Sequence, residues 1–133
     1  HIPVVKKATE KGIAVSVLSE EAHLDQVVSD TMVGGATLTK LLGTSAWYAP
    51  GAAAAMVVES IVNDQKKVIP SCVALNGEYG QEDLYIGVPA VIGRNGVEKV
   101  LEINLTEEEK AEFAKSADAV RKTNDVLKEI GAL

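Results

Sequence analysis

Apolar positions follow a helical period over the first half of the chain, a strand period in the middle and a helical period again at the end. Leu24, Val27, Val28, Thr31 and Met32 recur at the spacing of one helix face. Ser19 precedes Glu20-Glu21, so a hydroxyl can accept from an orphan backbone N–H while two acids face the positive end of the helix dipole. Gly34-Gly35 interrupts the pattern and predicts a second helix, Ala36 to Leu42, set at an angle and stopped by Gly43. Pro50 suits a first helical turn. Ala52 to Val62 is apolar on nearly all sides, which predicts a buried helix, closed by Asn63-Asp64.

Strand signals follow. Lys67 to Leu75 is β-branched and apolar, and Asn76-Gly77 marks a hairpin turn. Leu84 to Ile92 reads as a second strand, with Gly87 and Pro89 marking a bulge or an edge. Arg94-Asn95-Gly96 turns the chain into a third strand, Val97 to Ile103. Three antiparallel strands in series form a meander. Thr106 and Glu109 have the spacing of a capping box and open a helix reaching about Ile130, its apolar stripe formed by Phe113, Ala117, Val120, Leu127 and Ile130 and its end set by Gly131. Residues 1–18 have no decisive period; Ile2 to Val5 and Gly12 to Leu18 are compatible with short strands. Helices, then strands, then a helix give an α+β domain, helices packed on an antiparallel meander, over residues 1–133 without an internal linker.

Composition narrows the function classes. Apolar residues at 47% suffice for a core, and a net charge of −6 argues against a nucleic-acid or anionic-membrane partner. No apolar run approaches the roughly 18 residues of a membrane span, since the longest, Ala52 to Val58, soon meets Glu59. These residues contain no secretory-signal pattern, and none is expected. A single cysteine, Cys72, rules out an internal disulfide and fits a reducing, cytoplasmic setting. The chain opens His1-Ile2-Pro3-Val4 in mid-pattern without an initiator methionine, so a piece of a longer polypeptide is expected.

Chemistry is sparse. There is neither a G-x-G-x-x-G fingerprint nor a phosphate loop ending in Gly-Lys-Ser/Thr. His1, His23 and Cys72 are too few and too scattered for a metal site, and Cys72 reads as a buried, inert strand thiol. Glu107, Glu108 and Glu109 serve the helix start. Glu59 is expected at an exposed edge or in a charge pair, and Glu82-Asp83 faces water. Trp47 and Tyr48 read as core packing. Thr44 to Gly51 differs from the rest: a turn of small residues entering a helix, with the Ser45 hydroxyl and free helix-start N–H groups, suited to form a wall for an anion or small ligand.

Gly34-Gly35-Ala36 and the run from Leu41 to Ala53, with Ser45-Ala46-Trp47-Tyr48-Ala49-Pro50 at its centre, resemble the substrate domain of the NAD-dependent lactate/malate dehydrogenase family, in its malate form. Lys67-Val68-Ile69-Pro70, Asn76-Gly77-Glu78-Tyr79-Gly80, Tyr85 to Gly93, Gly96 to Val100 and the last helix continue the resemblance in order. It implies the fold of that family's C-terminal domain. It also implies hydride transfer between NAD and (S)-malate or oxaloacetate, the step used in the tricarboxylic acid cycle, in an enzyme that is a homo-oligomer when intact. The N-terminal Rossmann half, with its glycine fingerprint, substrate-clamping arginines and histidine-orienting aspartate, is expected to be absent. Ile2-Pro3-Val4 aligns with the segment just after the family's Gly-His-Gly-Asp motif, so His1 is not the catalytic base and no catalytic residue is assigned. Ser45 matches a substrate-side hydroxyl and Ala49 a small position beside the nicotinamide. The isolated chain is expected to be inactive. The alternatives are a non-catalytic interaction or assembly module and a related 2-hydroxy-acid dehydrogenase domain.

Overall fold

In a computed structural model of the chain, residues 8–18 and 21–131 are described. They belong to two compact units, residues 1–50 and 51–133.

In the first unit, β1 (Thr9–Glu10) pairs antiparallel with β2 (Ile13–Ala14). Lys11 and Gly12 both have positive φ, the conformation a two-residue hairpin with right-handed twist demands. A single turn, α1 (Val15–Leu18), follows directly, so the strand expected over Gly12 to Leu18 is confined to its first half. The strand suggested for Ile2 to Val5 and the helix start at Ser19 lie outside the described residues. Next comes α2 (Glu21–Leu42), one continuous helix. The break expected at Gly34-Gly35 does not occur. Each glycine costs about 1 kcal/mol of helix propensity, but a kink needs a specific cause such as proline or an inserted group, and neither stands against Gly34 or Gly35. Gly43, at φ +67°, follows the last residue of α2.

Helix α3 (Tyr48–Val62) begins four residues earlier than expected, with Pro50 inside its first turn. Its end is a Schellman motif: Gln65 N–H donates to Ser60 C=O at 2.9 Å and Asp64 N–H to Ile61 C=O at 3.3 Å. Asp64 takes the left-handed conformation usually given to glycine.

The second unit is built on an antiparallel sheet in the order β3 (Lys67–Asn76), β4 (Glu82–Gly93), β5 (Gly96–Val100). Ile69, Val73 and Leu75 of β3 and Leu84, Ile86, Val88, Ala90 and Ile92 of β4 point to one buried face, the period-2 pattern of a half-covered sheet. Helix α4 (Glu107–Glu129) packs on β4, with Phe113 and Ala117 buried. Its capping box is complete: Glu109 N–H donates to Thr106 Oγ1, and Thr106 N–H donates to Glu109 Oε2 at 2.7 Å. The α+β class and the meander are therefore observed, helices against a three-stranded antiparallel sheet.

Pro89 lies in the central strand, opposite Pro70 of β3, rather than at an edge or bulge. Its carbonyl accepts from Leu101 N–H at 2.8 Å, so its main-chain groups face the β5 side, where the ladder has just ended at Val100. The missing N–H therefore lies on the β5 side, past the end of the ladder, and Pro70 then faces the other way, so neither proline breaks the β3–β4 ladder. The actual irregularities sit at Leu75/Asn76 and Val91/Ile92.

Three packing expectations are corrected. Cys72 is exposed rather than buried, because the pleat puts Ile69, Val73 and Leu75 inward and the even-numbered residues outward. Trp47 and Tyr48 are exposed at 57% and 82% and are not core. Helix α3, expected buried on nearly all sides, has only Ser60 fully covered, while Met56, Val58 and Val62 are exposed.

Candidate functional site

The Ser45 turn is set by its two helices. α2 stops where Gly43 adopts a conformation that side chains resist, and Thr44 to Trp47 run without regular structure until α3 starts at Tyr48. Ser45 is exposed and its hydroxyl forms no hydrogen bond among the described residues. Ala49 is the second residue of α3, also exposed. The Trp47 and Tyr48 rings stand 6.5 Å apart at a tilt of 39°. Pro50 removes one of the N–H groups that a helix start leaves free; Tyr48 and Ala49 keep theirs. The turn thus offers an uncommitted hydroxyl and a small apolar side chain within one short segment, with no Asp, Glu, Lys, Arg or His closer in sequence than Lys40 and Glu59.

A concavity lies in the other unit, a pocket of about 360 Å³ lined by Tyr79, Glu102, Asn104, Lys110 and Phe113 among others. Tyr79, at φ +53°, ties the chain between β5 and α4. Its hydroxyl donates to Leu101 C=O at 2.7 Å and accepts from Ile103 N–H at 3.0 Å. Its own N–H donates to Glu102 Oε2 at 2.7 Å, and its ring lies 5.1 Å from that of Phe113. Lys110 pairs with Glu107 at 2.7 Å. Each ionisable group in this wall thus has a partner within the domain: Tyr79 with Leu101 and Ile103, Glu102 with the Tyr79 N–H, and Lys110 with Glu107.

The other sequence candidates are structural. Glu59 is exposed and pairs with Lys67 at 3.5 Å. The Glu78 carboxylate accepts from Asn76 N–H at 2.7 Å; that bond, then one from its own N–H, holds its pKa below the ordinary range. His23 is an exposed helix residue. Among the described residues no three His, Cys, Asp or Glu side chains gather as a metal site, and no helix is long and apolar enough to cross a membrane. Two residues with clear structural roles were not singled out from the sequence. Tyr79 could have been found only through its neighbours 22 and 24 residues away. Ser60 carried a local signal, a hydroxyl in an apolar helix.

Comparison with known proteins gives consistent results. The family described as the lactate/malate dehydrogenase alpha/beta C-terminal domain matches residues 1–130. A malate dehydrogenase of Parabacteroides distasonis is 64% identical over 132 residues, and one of Flavobacterium johnsoniae 61% over 129. These matches cover 99% and 97% of this chain but 42% of each relative. The solved malate dehydrogenase of Salinibacter ruber superposes with a TM-score of 0.93 at 41% identity, over 98% of this chain and 44% of that one. That of Cryptosporidium parvum gives 0.90 at 32%, over 95% and 42%. The chain spans about 42% of the length of the curated relatives it matches. With the family matched over nearly every residue and the fold reproduced, the chain belongs to the lactate/malate dehydrogenase C-terminal domain family.

Proposed function

We propose that residues 1–133 form the substrate-side domain of an NAD-dependent malate dehydrogenase, which interconverts (S)-malate and oxaloacetate in the cytoplasm as part of a homo-oligomeric enzyme. The observation that carries this reading is the Ser45 turn: an exposed, unbonded hydroxyl and a small side chain at Ala49, in a chain whose relatives are malate dehydrogenases. Ser45 would hydrogen-bond the substrate beside the reacting carbon, and the Ala49 methyl would leave room for the face of the nicotinamide ring. On this reading the chain would meet only the nicotinamide end of the cofactor, beside Ala49. The bound nicotinamide supplies the hydride chemistry. This chain orients substrate and closes one side of the cleft against water. The proton-transferring histidine, the substrate-clamping arginines and the dinucleotide cradle belong to a preceding Rossmann half, and the isolated chain turns nothing over.

The test joins the unmatched part of the Parabacteroides distasonis enzyme to this chain as one polypeptide. It should oxidise NADH with oxaloacetate, while the 133-residue chain alone does not. Ser45→Ala in the joined enzyme removes one substrate hydrogen bond of about 0.5–1.5 kcal/mol, a roughly threefold to tenfold fall in kcat/KM. A folded joined enzyme without turnover sinks the reading, and an unchanged kcat/KM removes Ser45 from it.

A further inference from the structure

Asparagine is followed by glycine twice in the chain, at Asn76-Gly77 and at Asn95-Gly96. This dipeptide carries its own reaction. The backbone nitrogen of the glycine can attack Cγ of the asparagine side chain, and a glycine without Cβ leaves that approach open. Both asparagines are exposed, and neither side chain makes a hydrogen bond among the described residues. A Cβ built on either glycine would meet nothing within 4 Å. Access therefore does not separate the two sites. The hold on the glycine nitrogen and the charge around it do.

At Asn76-Gly77 the nitrogen is held fast. Gly77 N–H donates to Gln81 C=O at 2.8 Å, and Asn76 N–H donates to the Glu78 carboxylate at 2.7 Å. The same turn is fastened from outside, by Tyr79 N–H on Glu102 Oε2 and by the Tyr79 hydroxyl between Leu101 and Ile103. The nearest charged side chains in sequence, Glu78, Glu82 and Asp83, are all acidic, and no cation occurs between Lys67 and Arg94. Negative charge growing on the Gly77 nitrogen is therefore opposed. Asn95-Gly96 lies at the tip of the β4–β5 hairpin. There Gly96 pairs with Gly93, and Asp64 Oδ1 holds the turn from outside, accepting from Arg94 N–H at 2.9 Å. Opening this tip breaks fewer bonds, and local opening follows that count. Its charges are balanced as well. Arg94 adjoins Asn95, and of the two carboxylates against Gly93, those of Asp64 and Glu98, Glu98 is paired with Lys66 at 3.7 Å.

We infer that Asn95 is a spontaneous modification site of the folded protein, losing its side-chain amide to become aspartate or isoaspartate while Asn76 is preserved. The Gly96 nitrogen gives its proton to hydroxide and bonds to Asn95 Cγ. The bond from Cγ to the amide nitrogen breaks, and that nitrogen takes a proton from solvent and leaves as ammonia. Water then opens the five-membered imide at either carbonyl carbon; nothing is oxidised or reduced. Either product sets a new negative charge near Asp64 and Glu98, and isoaspartate also lengthens the backbone beside the Gly93–Gly96 pair that joins β5 to β4.

The test holds the 133-residue chain in warm, mildly alkaline buffer, with and without urea, and follows intact mass and peptide maps. In native buffer the mass should rise by the amide-to-acid difference, about 1 Da. The change should map to Asn95 at least about fivefold faster than to Asn76. In urea, with the hydrogen bonds gone, the two rates should come within about twofold of each other. Asn95→Gln should abolish the native mass gain, and Asn76→Gln should leave it. Equal rates at the two sites in native buffer overturn the inference, as does a native chain unchanged at Asn95 over the time in which both sites react in urea. A preference for Asn95 that persists undiminished in urea also overturns it, because neighbouring residues rather than the folded turns then set the rates.

Discussion

Ser60→Ala tests how the second unit is fastened. The Ser60 side chain is fully buried at 0% exposure. Its hydroxyl donates to Ile92 C=O at 2.7 Å and accepts from Lys67 N–H at 3.4 Å. The second bond is long and contributes little. The first closes a contact between residues 32 apart in sequence, joining α3 to the end of β4. Ile92 is itself only 3% exposed, so water cannot readily replace the hydroxyl, and stranding a buried acceptor costs about 1–3 kcal/mol. Alanine recovers about 0.5 kcal/mol through its higher helix propensity, leaving a net loss of about 1–2 kcal/mol. Ser71→Ala provides the comparison. Ser71 also donates to a carbonyl, that of Ile69 at 3.2 Å, but it is half-buried on an edge strand and its bond spans only two residues. Its loss should stay below about 0.5 kcal/mol. Urea unfolding followed by circular dichroism would read both. The midpoint for Ser60→Ala should fall by roughly 0.5–1 M at unchanged slope. Equal midpoints for the two variants would refute the claim that burial, rather than the hydroxyl–carbonyl bond as such, sets the energy.

Further predictions concern single contacts. Thr106→Ala removes the hydroxyl half of the capping box and should cost about 1 kcal/mol by thermal unfolding; adding Glu109→Ala should cost less than the sum of the separate losses. Gly93→Ala puts a Cβ against the Glu98 carboxylate and 3.0 Å from Asp64 Oδ1, which already accepts from Arg94 N–H at 2.9 Å. Because the Glu98 carboxylate is the free end of a flexible side chain, the loss should be no more than about 1 kcal/mol, and Glu98→Ala should relieve most of it, a coupling that a double-mutant cycle would detect or exclude. Because the folded pKa of Glu78 is depressed, its contribution is present above the unfolded value and fades as pH falls through the lower folded one. An NMR titration should place its midpoint below the ordinary 4.5, and Glu78→Gln should flatten that part of the acid profile; a midpoint at or above the ordinary value would contradict the geometry.

Where local chemistry decides, the sequence was legible. The capping box at Thr106 and Glu109, the stop at Gly131 and the strands over Lys67 to Leu75 and Leu84 to Ile92 all depend on residues a few positions apart. Legibility failed where the deciding partner is distant or the local preference is weak. In β3 both phases are apolar, Val68, Pro70, Cys72 and Ala74 against Ile69, Val73 and Leu75. Only the inward row of β4, from Leu84 to Ile92, selects the second phase and leaves Cys72 outside. Gly34-Gly35 suggested a break because glycine weakens a helix, yet weakening is not breaking when the residues on both sides continue the pattern. Tyr79 is structural only because Leu101 and Ile103 return to it, and no local pattern announces that.

The Ser45 turn divides in the same way. Its small residues and hydroxyl are visible in the sequence because they are local. Its surroundings are not, because an apolar pattern states that a surface needs cover without stating what supplies it. From sequence, Ala52 to Val62 reads as a buried helix and Trp47 and Tyr48 as core packing. In the structure Leu41 to Val58 is largely exposed, apart from half-buried Ala46 and Val57, while the neighbouring Ser60 is sealed. A charge-free helix face costs stability in water in proportion to the apolar area left there, so the same residues that made α3 look like core become an argument for a covering polypeptide. The relatives carry more than half their length beyond the match. A charge-free pattern of this kind therefore states a need for cover that the described residues do not themselves meet.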